Sequence, residues 1–118
     1  MKHTLTLSTF IILFALIASC QNVETNTVYP AELQGWVYDD STRQPVPAVL
    51  VTGKDFIINA YTNDSGRFYV ARIEMPRDET SEIVTCAKPG YDTAKATVYL
   101  RSYQLSTIDT ILIKKSNK

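Results

Sequence analysis

Residues 57–70 read Ile57-Ile58-Asn59-Ala60-Tyr61-Thr62-Asn63-Asp64-Ser65-Gly66-Arg67-Phe68-Tyr69-Val70, and this stretch decides the fold class. Two runs rich in β-branched and aromatic residues flank the tetrapeptide Asn63-Asp64-Ser65-Gly66. Asn at the first position and Gly at the fourth is the signature of a type I turn, which predicts a β-hairpin. Moving outward, the same grammar repeats on both sides. Gly35-Trp36-Val37-Tyr38 alternates and stops at Asp39-Asp40-Ser41; Ala48 to Thr52 is a β-branched run after Pro45 and Pro47. Ile83 to Ala87 ends at Lys88-Pro89-Gly90, and the runs Thr93 to Leu100 and Thr107 to Ile113 follow. No helical period is sustained. Seven short strands separated by turns predict an all-β, seven-stranded antiparallel Greek-key β-sandwich.

Alternation also assigns faces, because successive side chains of a strand point to opposite sides. Val37, Phe68, Val70, Ala96, Val98 and Leu100 are predicted to form the core. Trp36, Tyr38, Tyr69 and Tyr99 then face outward. Trp36 and Tyr38 lie two residues apart and share a face, which makes them the candidate contact for a protein partner or for the rings of a polysaccharide. The charged segment Arg72 to Ser81, with Met75-Pro76 inside it, is predicted to be the longest loop of the domain.

The first nineteen residues are of another kind. Lys2 and His3 precede a run from Leu5 to Ile17 that is apolar but for Thr6, Ser8 and Thr9, and Ala18-Ser19 lead to Cys20. These are the parts of a secretory signal, too short for a spanning helix. Ile17-Ala18-Ser19-Cys20 resembles the bacterial lipobox, in which the cysteine thiol is lipidated and the peptide is cut before it. The expected organisation is a lipoprotein signal peptide over 1–19, a lipidated Cys20 with a flexible tether over 20–32, and a β-sandwich domain over 33–115. Two or three acyl chains make a stable anchor where one is marginal. Gln21 is not the aspartate that retains some lipoproteins at the inner membrane, so the expected place is the cell envelope, at the outer membrane.

Composition narrows the function. Removing Lys2 with the signal leaves eleven basic residues against twelve acidic ones, and such a balance has no bulk attraction for nucleic acid. The basic tail of Lys114, Lys115 and Lys118 reads as solvated charge. With Cys20 acylated, Cys86 has no partner for a disulfide, and its strand context marks it as a small buried hydrophobe. His3, inside the signal, is the sole histidine. Without one, the domain lacks the base of a Ser-His or Cys-His nucleophile and any histidine ligand for zinc. Asp39, Asp40, Asp55 and Asp64 form no calcium loop and suit turns by their own backbone hydrogen bonds. No catalytic residue, metal or cofactor is expected.

In order and spacing, Gly35-Trp36-Val37-Tyr38-Asp39, Gln44-Pro45-Val46-Pro47-Ala48-Val49, Thr62-Asn63-Asp64-Ser65-Gly66-Arg67-Phe68 and Lys88-Pro89-Gly90-Tyr91 resemble the carboxypeptidase regulatory-like domain. This is a transthyretin-like (prealbumin-like) β-sandwich family with immunoglobulin-like architecture, found also in lipoproteins of Bacteroidetes-type bacteria. The likeness covers about residues 33–113. It implies an accessory module without chemistry of its own; with the lipobox at Cys20 and the outward Trp36 and Tyr38, the expectation is a module held at the membrane through Cys20, with an envelope protein as partner and a surface glycan as the alternative. The chain departs from the family at Thr42-Arg43 and at Ala48, where glycine is frequent.

Overall fold

The computed structural model describes residues 27–117. Seven strands form in chain order: β1 (Tyr29–Asp39), β2 (Leu50–Gly53), β3 (Asn59–Tyr61), β4 (Arg67–Met75), β5 (Glu79–Ala87), β6 (Ala94–Arg101) and β7 (Leu105–Ile113). They make two sheets, one of order β4-β1-β7 and one of order β3-β2-β5-β6. The β-sandwich is therefore as expected, but one pairing is not antiparallel. β1 and β7 run parallel, from Glu32 opposite Leu105 to Asp39 opposite Ile113. Parallel neighbours need a long crossover, and here five intervening strands supply it, so β7 returns beside β1 in the same direction.

The turn that decides the fold class is present, but it closes no hairpin. Gly66 donates its N–H to the Asn63 carbonyl at 2.9 Å, and the Asn63 side-chain oxygen accepts the amides of Ser65 and Arg67, each at 3.0 Å. β3 and β4, which it joins, belong to different sheets. The turn is a corner between layers. Local sequence sets the reversal of the chain; which sheet each arm enters depends on partners far away in sequence.

The interior is filled from both layers by Leu33, Val37, Val49, Val51, Phe68, Ile73, Met75, Val84, Cys86, Val98, Leu100, Ile111 and Ile113. Of the predicted core, Val70 and Ala96 are only partly buried and pack against this cluster. Ile73 and Met75 were assigned to a loop by the sequence pattern, yet both are buried. The cause is a β-bulge: Leu33 pairs with Val70 and Ala31 with Ile73, so β4 carries one extra residue and Ala71 and Arg72 are both exposed. A bulge breaks the two-residue period that sequence reading relies on. The expected long loop Arg72 to Ser81 is thus mostly strand, with only Pro76 to Asp78 between β4 and β5. The expected tether likewise ends earlier, since Tyr29 to Glu32 already belong to β1.

Packing demands glycine at positions that include Gly35 and Gly66. A Cβ on Gly35 would stand 2.5 Å from the Phe68 ring, and one on Gly66, whose φ is +76°, would stand 2.5 Å from the Val37 carbonyl oxygen. Gly66 also accepts the Val37 amide at 2.8 Å, so this corner is stitched to β1.

Candidate interaction surfaces

The buried polar residues Asp39, Thr62 and Glu82 are occupied by the frame. Asp39 ends β1; one carboxylate oxygen accepts the amides of Ser41 and Thr42 at 2.9 and 3.0 Å, and the other accepts the Tyr91 hydroxyl at 3.1 Å. The Thr42 amide above all, helped by Ser41 and Tyr91 and opposed by burial, holds this carboxyl down at about 2. Burial and the same Asp39 contact push the Tyr91 hydroxyl above its ordinary range. Thr62 accepts the Val49 amide at 2.9 Å and donates to the Val46 carbonyl at 2.7 Å. Glu82 accepts the amides of Asp55, Phe56 and Ile83 at 2.9, 2.8 and 2.8 Å. A buried carboxylate is tolerated when such donors replace its water. Cys86 is fully buried, and desolvation drives its thiol up to about 11, far from nucleophilic use. Among the described residues, no group of His, Cys, Asp and Glu side chains converges as a metal site.

The outer face of the β4-β1-β7 sheet holds both aromatics predicted to point outward from β1. Trp36 and Tyr38 are half-buried there, Trp36 paired across to Arg67 and Tyr38 to Leu112. They share the face with a polar ladder. Arg67 donates to the Gln34 side-chain oxygen at 2.9 Å, Gln34 donates to the Thr107 hydroxyl at 3.1 Å, and Tyr69 donates to Glu32. The guanidinium of Arg67 lies 5.2 Å from the Tyr69 ring centre. The hydrogen bond to Glu32 raises the Tyr69 pKa. Tyr99 points outward from the other sheet, with Arg101 over its ring at 5.3 Å. Cys20, the predicted lipidation site, and the signal peptide lie outside the described residues.

A second surface escaped the sequence reading. Residues 54–58 join β2 to β3, and Glu82 clamps them by its bonds to Asp55 and Phe56. Ile58 turns into the core while Ile57 is 92% exposed. Ile57 lines a recess of about 310 Å³ with Phe56, Arg72 and Glu74, and beyond Arg72 a second recess of about 150 Å³ runs along Pro30 and Ala31 to Tyr103. Tyr103, 79% exposed, adopts φ +58° in the turn from β6 to β7 and donates its amide to the Pro30 carbonyl at 2.7 Å. Arg72, re-aimed by the bulge, divides the two recesses. The signal that could have found Ile57 is the run Phe56-Ile57-Ile58, since adjacent residues of a strand cannot all face one core.

No family model matches the chain, and no curated protein matches it. Solved structures share its fold. The Bacillus anthracis TIE protein superposes with a TM-score of 0.57 at 11% identity over 74% of this chain. A chain of the type II cohesin–X-dockerin complex from Acetivibrio cellulolyticus gives 0.51 at 18% over 70%, and GBS52, the minor pilin of Streptococcus agalactiae, gives 0.54 at 17% over 77%. This chain spans 17%, 56% and 47% of those chains respectively. At such identities the likeness concerns the fold, a two-sheet β-sandwich.

Proposed function

We propose that this protein is a lipid-anchored, non-catalytic β-sandwich module of the cell envelope, of carboxypeptidase regulatory-like type and Greek-key form, whose work is to hold a protein partner. One observation carries the reading. The buried polar side chains serve backbone donors and acceptors of the frame, whereas the large aromatic side chains Trp36, Tyr38 and Tyr69 gather on one sheet face. Aromatic and arginine side chains in contact with one another are the usual anchors of protein interfaces. That similar folds occur in a cohesin–dockerin complex and in a minor pilin is in keeping with this role. A photo-cross-linking residue placed at Tyr38 or Tyr69 in intact cells is expected to yield one discrete adduct, and one at Tyr61 on the other sheet none. Equal labelling from both sheets would overturn the assignment of the face.

A polysaccharide is the second reading of the same surface, because Gln34, Glu32 and Arg67 set hydrogen-bonding groups beside the rings. Trp36 is the single tryptophan, so its fluorescence reports on that face alone. A saturable spectral change with a polysaccharide favours this reading over the protein partner. The anchor has its own test: Cys20→Ala is expected to abolish incorporation of labelled fatty acid.

A further inference from the structure

We infer that the end of the sandwich where β1 begins rests against the lipid surface, with Ile57 and Tyr103 in the headgroup region. The inference builds on the proposed lipid anchor. Cys20 stands nine residues before Tyr29, and such a segment reaches at most about 30 Å when extended. The anchor therefore holds this end closer to the bilayer than the end where β1 finishes, at high effective concentration.

The end is suited to that place. Val28, Ile57, Tyr103 and Leu105 are all among the exposed large hydrophobic residues. Their positions converge: Val28 precedes β1, Leu105 opens β7 opposite Glu32, the Tyr103 amide meets the Pro30 carbonyl, and Ile57 shares a recess with Glu74, the pairing partner of Pro30. Aliphatic and tyrosine side chains beside cations are what an interfacial surface requires. The carboxylates of Glu74, Glu79 and Asp78 are occupied by Arg72, Arg101 and the Ser102 hydroxyl, and Asp55, which lines the recess beside Ile57, is the acidic group of this end without an ion-pair partner among the described residues. Among the described residues, the cations of Lys54 and Arg77 have no carboxylate within ion-pair distance, which leaves them for lipid phosphate. The opposite end, an eleven-residue strand away, turns Asp40, Ser41, Pro47, Asp64, Ser65 and Pro89 to solvent, with Tyr61 and Leu112 as its exposed large hydrophobic side chains.

Nitroxide labels at Ile57→Cys, Tyr103→Cys and Ser41→Cys, one at a time in the full lipidated chain, test this on vesicles of phosphatidylethanolamine and phosphatidylglycerol. Cys86 is buried and escapes the reagent. The vesicles are floated, and collisions of each label with oxygen and with a water-soluble nickel chelate are compared. Labels at 57 and 103 are expected to gain oxygen collisions and lose nickel collisions several-fold relative to the label at 41. Protein that floats with all three labels equally open to nickel overturns the docking and leaves the anchor intact. Protein that does not float overturns the anchor, and the docking with it.

Discussion

The two ends of this sandwich are built on opposite principles. At the end where β1 finishes, nearly every polar group is tied. Asp39 holds the 41–42 turn and Tyr91, Thr62 bridges Val46 and Val49, Gly66 is stitched to Val37, and the tail returns through Asp92 to Lys114 and Ser116 to Gly90. At the end where β1 starts, Glu82 clamps the middle of the 54–58 segment, whose ends are tied by the Lys54 amide to Ile83 and the Ile58 carbonyl to Gly53, and the Ile57 and Tyr103 side chains project with little cover. Asp39, Pro45, Gly66 and Tyr91, on whose spacing the sequence expectation rested, gather at the tied end. These residues mark architecture at that end, while Trp36 and Tyr38, in the same stretch as Asp39, turn outward and Ile57 projects at the other end.

Substitutions can break or sharpen that contrast. The largest effect is expected from Gly66→Ala, which combines a left-handed backbone with a Cβ driven onto the Val37 carbonyl. A loss of roughly 2–4 kcal/mol is anticipated, read as a lower urea midpoint with unchanged slope. Glu82→Gln comes next, at about 1.5–3 kcal/mol for amides deprived of a charged acceptor. Its signature is local: exchange at the Asp55 and Phe56 amides should accelerate while the Ser41 and Thr42 amides stay protected. If both ends loosen together, they are one cooperative unit and the contrast is only static.

Acid should attack the tied end. The Asp39 carboxyl is held at about 2 in the fold against an ordinary 3.8, chiefly by the Thr42 amide. A carboxyl depressed on folding adds stability that is complete above its unfolded value and vanishes as pH falls through the folded one. The contribution of Asp39 is therefore expected to fade between about pH 4 and pH 2, and Asp39→Asn should remove that part of the acid dependence in thermal melts.

Smaller gains are expected where the tied end is strained. Arg43 and Ala48 adopt φ of +60° and +58°, and these fall within the two departures from glycine noted in the sequence. Ala48→Gly relieves a left-handed backbone cost at the expense of a more flexible unfolded chain, for a net stabilisation of about 0.5 kcal/mol. The smallest effect belongs to the open end. Ile57→Asp should change stability by less than about 0.5 kcal/mol, as at other exposed sites, so that any loss of membrane contact reports on the surface itself.

Much of this protein was legible in its residues. Turn chemistry at Asn63 to Gly66 and alternation along Gly35 to Asp39 are local properties, and they determined that the chain is all-β, where it reverses, and that Trp36, Tyr38, Tyr69 and Tyr99 face away from the core. Burial of Cys86 followed from its apolar strand. Tertiary structure alone decided the rest. The sheet each strand joins, the parallel pairing of β1 with β7 and the corner in place of a hairpin depend on contacts between residues distant in sequence. The bulge at Ala71 and Arg72 exists because β4 must match the register of β1, and it turned a predicted loop into core and re-aimed Arg72. Glu82 shows the same limit: nothing local marks it as buried, and only the folded chain brings the Asp55 and Phe56 amides to its carboxylate, beside the exposed Ile57.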